Sequence, residues 1–199
     1  MYKMTHSLLE SWRRATDPDA DESAFGDFLD ALERKRKPTT KAMQEGIDFE
    51  KAVTDFSSNP ESIFSSNANL DETRAIIQIG GRLSGASFQV KSSKCMEICK
   101  TPILLAGVAD ALRAGIISDI KRVQRYEYGK YQFSTQHPMY MELFPEAIRF
   151  DYLIFDGKYC YMEQYRRGDF EPIRVTIKAF LEYLDGAELM ETYKKNWEI

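Results

Sequence analysis

Cysteine is scarce in this chain: three in 199 residues, at positions 95, 99 and 160. Three scattered thiols cannot build a disulfide framework, so the chain reads as a protein of a reducing, intracellular compartment. Histidine is scarcer still. His6 and His137 stand far apart with no cysteine at ligand spacing, which argues against zinc. No apolar run approaches the roughly 20 residues that cross a bilayer. The N-terminus, with Glu10, Arg13 and Arg14 close behind Leu8-Leu9, lacks the apolar core of a secretion signal. A cytoplasmic protein without a membrane partner is expected. Basic excess is also missing: the net charge is −4, so the surface as a whole does not attract polyanions. There is no repeat, no low-complexity segment and no phosphate-binding glycine loop, because Gly80-Gly81 follows a helical pattern. What remains, 43% hydrophobic and 29% charged, suits one globular domain over residues 1–199.

The most informative stretch is 104–121. Two apolar runs, 103–109 and 116–120, flank a segment ending in Gly115 and read as strands joined by a tight turn. With Ala114-Gly115 as a two-residue loop, Arg113 pairs with Ile116 and the ladder places Asp110 opposite Asp119. Lys121 projects from the same face as Asp119, because side chains alternate along a strand. A four-residue loop also keeps all three together, whereas a three-residue loop separates them. Two adjacent carboxylates repel unless a cation neutralises them, and a hard divalent ion with oxygen ligands does so. An amine beside them can orient or help deprotonate a metal-bound water and offset charge growing on a phosphate. The set suits phosphodiester hydrolysis.

In chain order, 7–15 forms a short helix with Leu8, Leu9 and Trp12 on one side, and a second helix carries Phe25, Phe28, Leu29 and Leu32. Thr39 or Thr40 caps a third helix with the stripe Ala42, Gly46, Phe49, Val53 and Phe56. Glu50 lies at the margin of that stripe, where Gly46 permits close approach of another backbone. Residues 57–69 read as a mobile loop, either a flap or a plain connection, and 71–83 as a helix. Residues 88–91 and 94–98 read as two short strands, and Cys95 and Cys99 as buried strand residues. Thr135 can cap a helix that Pro145 stops, with Gln136 and Tyr140 on one face. Segments 148–155 and 158–165 form a hairpin around Asp156-Gly157. A C-terminal helix opens at Pro172 and buries Ile173, Ile177, Phe180, Leu181 and Leu184.

The order of parts resembles the PD-(D/E)xK nuclease superfamily, in the branch of RecB-type and lambda-type phage exonuclease domains. The matching residues are Gly46-Ile-Asp-Phe-Glu50, Gly107-Val-Ala-Asp110, Asp119-Ile-Lys121 and Gln136-His-Pro-Met-Tyr140. Ala109 stands where the superfamily's name has proline. The resemblance implies an α/β (α+β) fold with a restriction-endonuclease-like core, a central mixed sheet flanked by helices. Residues 1–38 would be a helical extension, 39–166 the nuclease core and 167–199 a C-terminal helix. It further implies that Asp110, Asp119 and the carbonyl of Ile120 bind Mg²⁺ or Mn²⁺ and that Glu50 completes the acidic shell. Lys121 positions the attacking water, while Gln136 and Tyr140 steady the site and touch DNA at its edge. No iron–sulfur cluster is expected, since relatives that carry one use four cysteines.

The implied activity is metal-dependent hydrolysis of DNA, as an exonuclease in phage- or prophage-type recombination or repair. The host compartment is a bacterial or phage-infected cytoplasm. The alternative is a catalytically idle module that binds DNA or protein on the same scaffold. Arg122, Arg125 and Lys130 are candidate DNA contacts, and Arg13-Arg14, 34–37 and Arg166-Arg167 are further basic clusters. A homo-oligomer and a recombination partner, such as a single-strand-annealing protein, stay open.

Overall fold

The computed structural model describes residues 1–65 and 68–199. Its frame is a six-stranded mixed sheet flanked by helices. Its longest part is a hairpin of the edge strand β2 (Ser87–Ile98) and β3 (Thr101–Arg113), in register from Ser87↔Leu112 to Ile98↔Thr101. Since β2 holds one edge of β3 along its length, two other strands share the opposite edge. β1 (Tyr2–Met4) pairs in parallel at residues 103–105, and β4 (Ile116–Arg122) pairs antiparallel at 111–113. Between them residues 106–110 have no strand partner on that edge. β5 (Arg149–Phe155) runs parallel to β4, and β6 (Cys160–Arg166) closes the sheet antiparallel to β5.

The helices divide between two cores. The larger holds α1 (His6–Ala15), α2 (Ala24–Leu32), α5 (Gln136–Leu143), α6 (Ile173–Gly186) and α7 (Met190–Trp197), through residues such as Leu8, Phe28, Met139, Phe180 and Tyr193. The smaller packs α3 (Lys41–Ser58) and α4 (Leu70–Arg82) on Ala111, Ile120, Leu153 and Phe155 through Phe49, Val53, Ile76 and Ile79. β5 alternates between them, with Tyr152 and Ile154 in the first and Leu153 and Phe155 in the second. A strand buried on both sides reads as a continuous apolar run. Among the described residues no helix is long and apolar enough to cross a membrane.

Several expectations are met. Ala114 and Gly115 both have positive φ (48° and 74°) and form the two-residue turn that pairs Arg113 with Ile116. Thr40 caps α3 by accepting from the amide of Met43, and α6 buries the five residues expected of it. Others need correction. The two short strands are one, β2, so Cys99 falls in the following turn, where it and Lys100 have φ of 52° and 61°. Cys95 and Cys99 are exposed, not buried. The β5–β6 loop takes four residues because the Asp156 carboxylate accepts from the amides of Lys158 and Tyr159, building an Asx-type turn. The segment expected as a loop at 57–69 finishes α3 and adds a 3-10 turn at Pro60–Ser65; its residues 66 and 67 lie outside the described residues. β1 and α7 are elements the sequence pattern did not announce. The first 38 residues, expected as an extension, place Met4, Leu8, Leu9, Phe28 and Leu32 in the larger core.

Candidate functional site

The site lies where the β3–β4 ladder stops. Its last pair is Ala111↔Ser118, and the next step would set Asp110 against Asp119. Instead the Asp110 carboxylate takes the place of a backbone partner, its Oδ2 accepting from the amide of Ile120 at 2.9 Å. On the other side of β3, Gln89 stands at the corresponding step of β2 with φ of 50°. A left-handed residue within a strand breaks the alternation of faces. Val90 and Ala109 accordingly pack with the larger core, while Phe88 and Ala111, two residues away, pack with the smaller. Asp110 therefore sits at the seam between the two cores. The Gln89 side chain donates to Glu50 Oε1 at 2.6 Å and so ties α3 to this seam. Gln89 was not legible as a site residue, because nothing in an alternating strand marks one position for a left-handed turn.

On β4, Asp119 is buried and Lys121 half-buried, with Lys121 Nζ 2.8 Å from Asp119 Oδ2. From α5, Gln136 Nε2 donates to Asp119 Oδ1. Tyr140, one turn on, donates to the Val108 carbonyl at 2.7 Å and accepts from the Val108 amide at 3.2 Å. Its hydroxyl thus serves the backbone groups that the gap in the β3 edge leaves without a strand. Gly107 makes this possible, since a Cβ there would lie 3.1 Å from Tyr140 Cζ and 3.0 Å from Leu143 Cδ1. Gln136 and Tyr140 are buried and hold the site from within. Gly46, by contrast, has nothing within 4 Å of where its Cβ would be. Among the described residues no other backbone approaches it, and the space beside Glu50 is open.

The electrostatics follow from burial and crowding. Burial pushes the Asp110 carboxyl up, the charges of Asp119 and Glu50 push it further, and the Ile120 amide only partly opposes them. Glu50 is raised by burial and by Asp119, against Lys121 and Gln89. Burial pulls Lys121 down, but Asp119 and Asp110 outweigh it, so the amine is held above its ordinary value as an ammonium. His6, at the start of α1, lies edge-on to Tyr140 with ring centroids 5.8 Å apart. It is lowered by burial and then by the charge of Lys121.

The expected acid–amine set is thus brought together, and the expected DNA contacts are not all free. Arg122 is bound to Glu45 of α3 and lies 3.5 Å from Glu72 of α4, so it braces two helices against β4. Arg125 pairs with Glu127 at 2.8 Å, and Lys130 donates to the Arg125 carbonyl. Arg13 and Arg14 are taken by Glu10, Lys35 and Lys37 by Asp30, and Arg167 by carbonyls at the end of α5.

Among the described residues no three His, Cys, Asp or Glu side chains stand together as an ion site. The donor chemistry nonetheless suits a hard cation. Asp119 Oδ2 is buried with the Lys121 ammonium 2.8 Å away as its partner, and the charges of Asp119 and Glu50 both act on the Asp110 carboxyl.

No family model matches the chain, and no curated protein does. The fold is similar to the crystal structure of SSO0001, with a TM-score of 0.54 and 13% identity over 93% of this chain and 77% of that one. The crystal structure of Scheffersomyces stipitis Rai1 covers 93% of this chain and 61% of its own at 14% identity, with a TM-score of 0.36. The first likeness shows the fold: a central mixed sheet flanked by helices.

Proposed function

We propose that this chain is a metal-dependent deoxyribonuclease of the PD-(D/E)xK type, a phosphodiester hydrolase acting on DNA in recombination or repair. The observation that carries the reading is the joining of Asp110, Asp119, Lys121, Gln136 and Glu50 at a single break in the sheet. A purely structural Asp–Lys pair would not need two further carboxylates raised in pKa beside it.

In this reading Asp110, Asp119 and the Ile120 carbonyl hold Mg²⁺ or Mn²⁺, with Glu50 at the margin. The bound ion supplies neutralisation of phosphoryl charge and acidification of water. Lys121 orients the attacking water and stabilises charge on the phosphoryl oxygens. Gln136 fixes the Asp119 carboxylate, and Gln89 fixes Glu50. In-line phosphoryl transfer asks a protein mainly for such positioning.

The test is digestion of linear and covalently closed DNA of one sequence with Mg²⁺, with Mn²⁺ and with EDTA. Cleavage that requires the ion and falls at least about 100-fold in Lys121→Ala and in Asp119→Asn is expected. Loss of the linear form alone marks an exonuclease. Undiminished cleavage in either folded variant overturns the site assignment. Binding without cleavage by the wild type favours the idle scaffold.

A further inference from the structure

The gap in the β3 edge opens into a cavity of about 620 Å³ that meets the site so far described only at His6, Gly107, Val108 and Tyr140. Its walls come from β1, the first turn of α1, β2 and β3, and it ends at Tyr140 and Val108, two residues along β3 from Asp110. Register fixes which side chains meet there. Lys3 pairs with Leu104, Ser93 with Ala106 and Lys91 with Val108, so both lysines and the serine share one face of the sheet.

Three observations give this cavity a sign. Its lining includes Lys3, His6 and Lys91 and no carboxylate. Among the described residues neither Lys3 nor Lys91 makes an ion pair, whereas the basic clusters that stand out in the sequence are largely matched by acids. The first turn of α1, from His6, carries no acidic residue, and Thr5, His6 and Ser7 present it to the cavity. First-turn amides have no acceptor within their own helix and favour an anion. Thr5 Oγ1 caps the Leu8 amide at 3.4 Å, so the contrast rests on the His6 and Ser7 amides beside a pocket of unmatched lysines in a chain of net charge −4.

We propose that this cavity is a phosphate-binding subsite in which Lys3, Lys91 and the first turn of α1 hold a phosphate of the nucleic-acid strand that enters the acidic seam. It deepens the nuclease reading by assigning the strand a path along the open edge of β3. It is detected by binding, so it can fail or stand independently of cleavage. The phosphate is either a backbone diester or a terminal monoester, and both present the same oxygens to the two ammonium groups.

The experiment uses the full chain in EDTA. Inorganic phosphate is titrated into ¹⁵N-labelled protein, and anisotropy is read for one fluorescent oligonucleotide made with 5′-hydroxyl, 5′-phosphate and 3′-phosphate ends. Phosphate is expected to shift the amides of Ser7, Lys91 and Gly107. The double variant Lys3→Ala/Lys91→Ala, and separately Lys91→Glu, is expected to bind the oligonucleotide at least tenfold more weakly. The control Lys178→Ala/Lys195→Ala, on α6 and α7, keeps wild-type affinity. A preference for one phosphorylated end that vanishes in the double variant assigns a monoester; equal loss for all three assigns a diester. Oligonucleotide and phosphate binding that are the same in the folded double variant as in wild type overturn the proposal, whatever the nuclease assay gives.

Discussion

Asp110 has two neighbours of its own sign, Asp119 and Glu50, and its carboxyl is raised accordingly. Replacement by asparagine keeps an oxygen to accept from Ile120 and removes one of the like charges. In EDTA at pH 8, Asp110→Asn is therefore expected to raise the melting temperature by roughly 2–4 °C, about 1 kcal/mol in a chain of this size. Mg²⁺ is expected to stabilise the wild type but not this variant. Equal or lower melting of the variant in EDTA removes charge crowding as a property of the site. His137 makes the opposite demand on pH. It is fully enclosed, its ring stacks on Tyr165 at 4.1 Å, Nδ1 lies 3.2 Å from the Tyr152 hydroxyl, and Nε2 has no partner. Burial lowers it from 6.5 to about 4. As pH falls, the unfolded chain takes up this proton first, so stability present above pH 6.5 drains away toward pH 4, by up to about 3 kcal/mol. Urea unfolding across that range is expected to show a shallower loss in His137→Phe, and an unchanged slope refutes the assignment.

At the scale of elements, the site exists because a strand edge is left open and one helix closes it. Two glycines in the family-like motifs act in opposite ways there. Gly107→Ala pushes a methyl into Tyr140 and Leu143, which are themselves buried, and is expected to cost about 1–3 kcal/mol. Gly46→Ala meets nothing and relieves a helix interior of glycine, so it is expected to gain about 0.5–1 kcal/mol. If DNA occupies the space beside Glu50, that stabilised variant also loses affinity. Chemical denaturation of both variants checks the signs; a neutral Gly107→Ala would mean that α5 can retreat from β3. The same elements show what a sequence can carry. Asp110, Asp119 and Lys121 were legible because strand alternation and a two-residue turn set their register from local chemistry alone. Glu50, Gln136 and Tyr140 needed the family-like order of parts. Gln89 and the role of Arg122 were not legible, since a left-handed strand residue and an arginine shared by two helices are settled by tertiary contacts. β1, three residues long, carries too short a pattern to read, although it completes the sheet.

Over the whole molecule, the two ends of the chain build one side of the larger core. Tyr193 donates to the carbonyl of Lys3 at 3.1 Å, and Trp197 donates to that of Leu32 at 2.8 Å. Trp12 packs edge-on against Phe180 at 5.4 Å, and the amide of Ile199 bonds the Met1 carbonyl at 3.1 Å. A fragment of residues 39–199 would lose β1 from the sheet and uncover Ile103, Leu105 and Phe180. It would also lose Met4, Leu8, Leu9, Phe28 and Leu32, each buried within 1% of complete enclosure. At about 1.5–3 kcal/mol for each large apolar side chain, that loss is comparable to the roughly 5–15 kcal/mol by which a domain is stable. The fragment is accordingly expected to lack a cooperative thermal transition and a near-ultraviolet dichroism signal, and to be cut rapidly by protease. A fragment that melts cooperatively and cleaves DNA with Mg²⁺ would show that residues 39–199 fold and act without the N-terminal helices. It would also detach Lys3 and His6 from the catalytic unit, leaving the acidic seam to work without the cavity beside it.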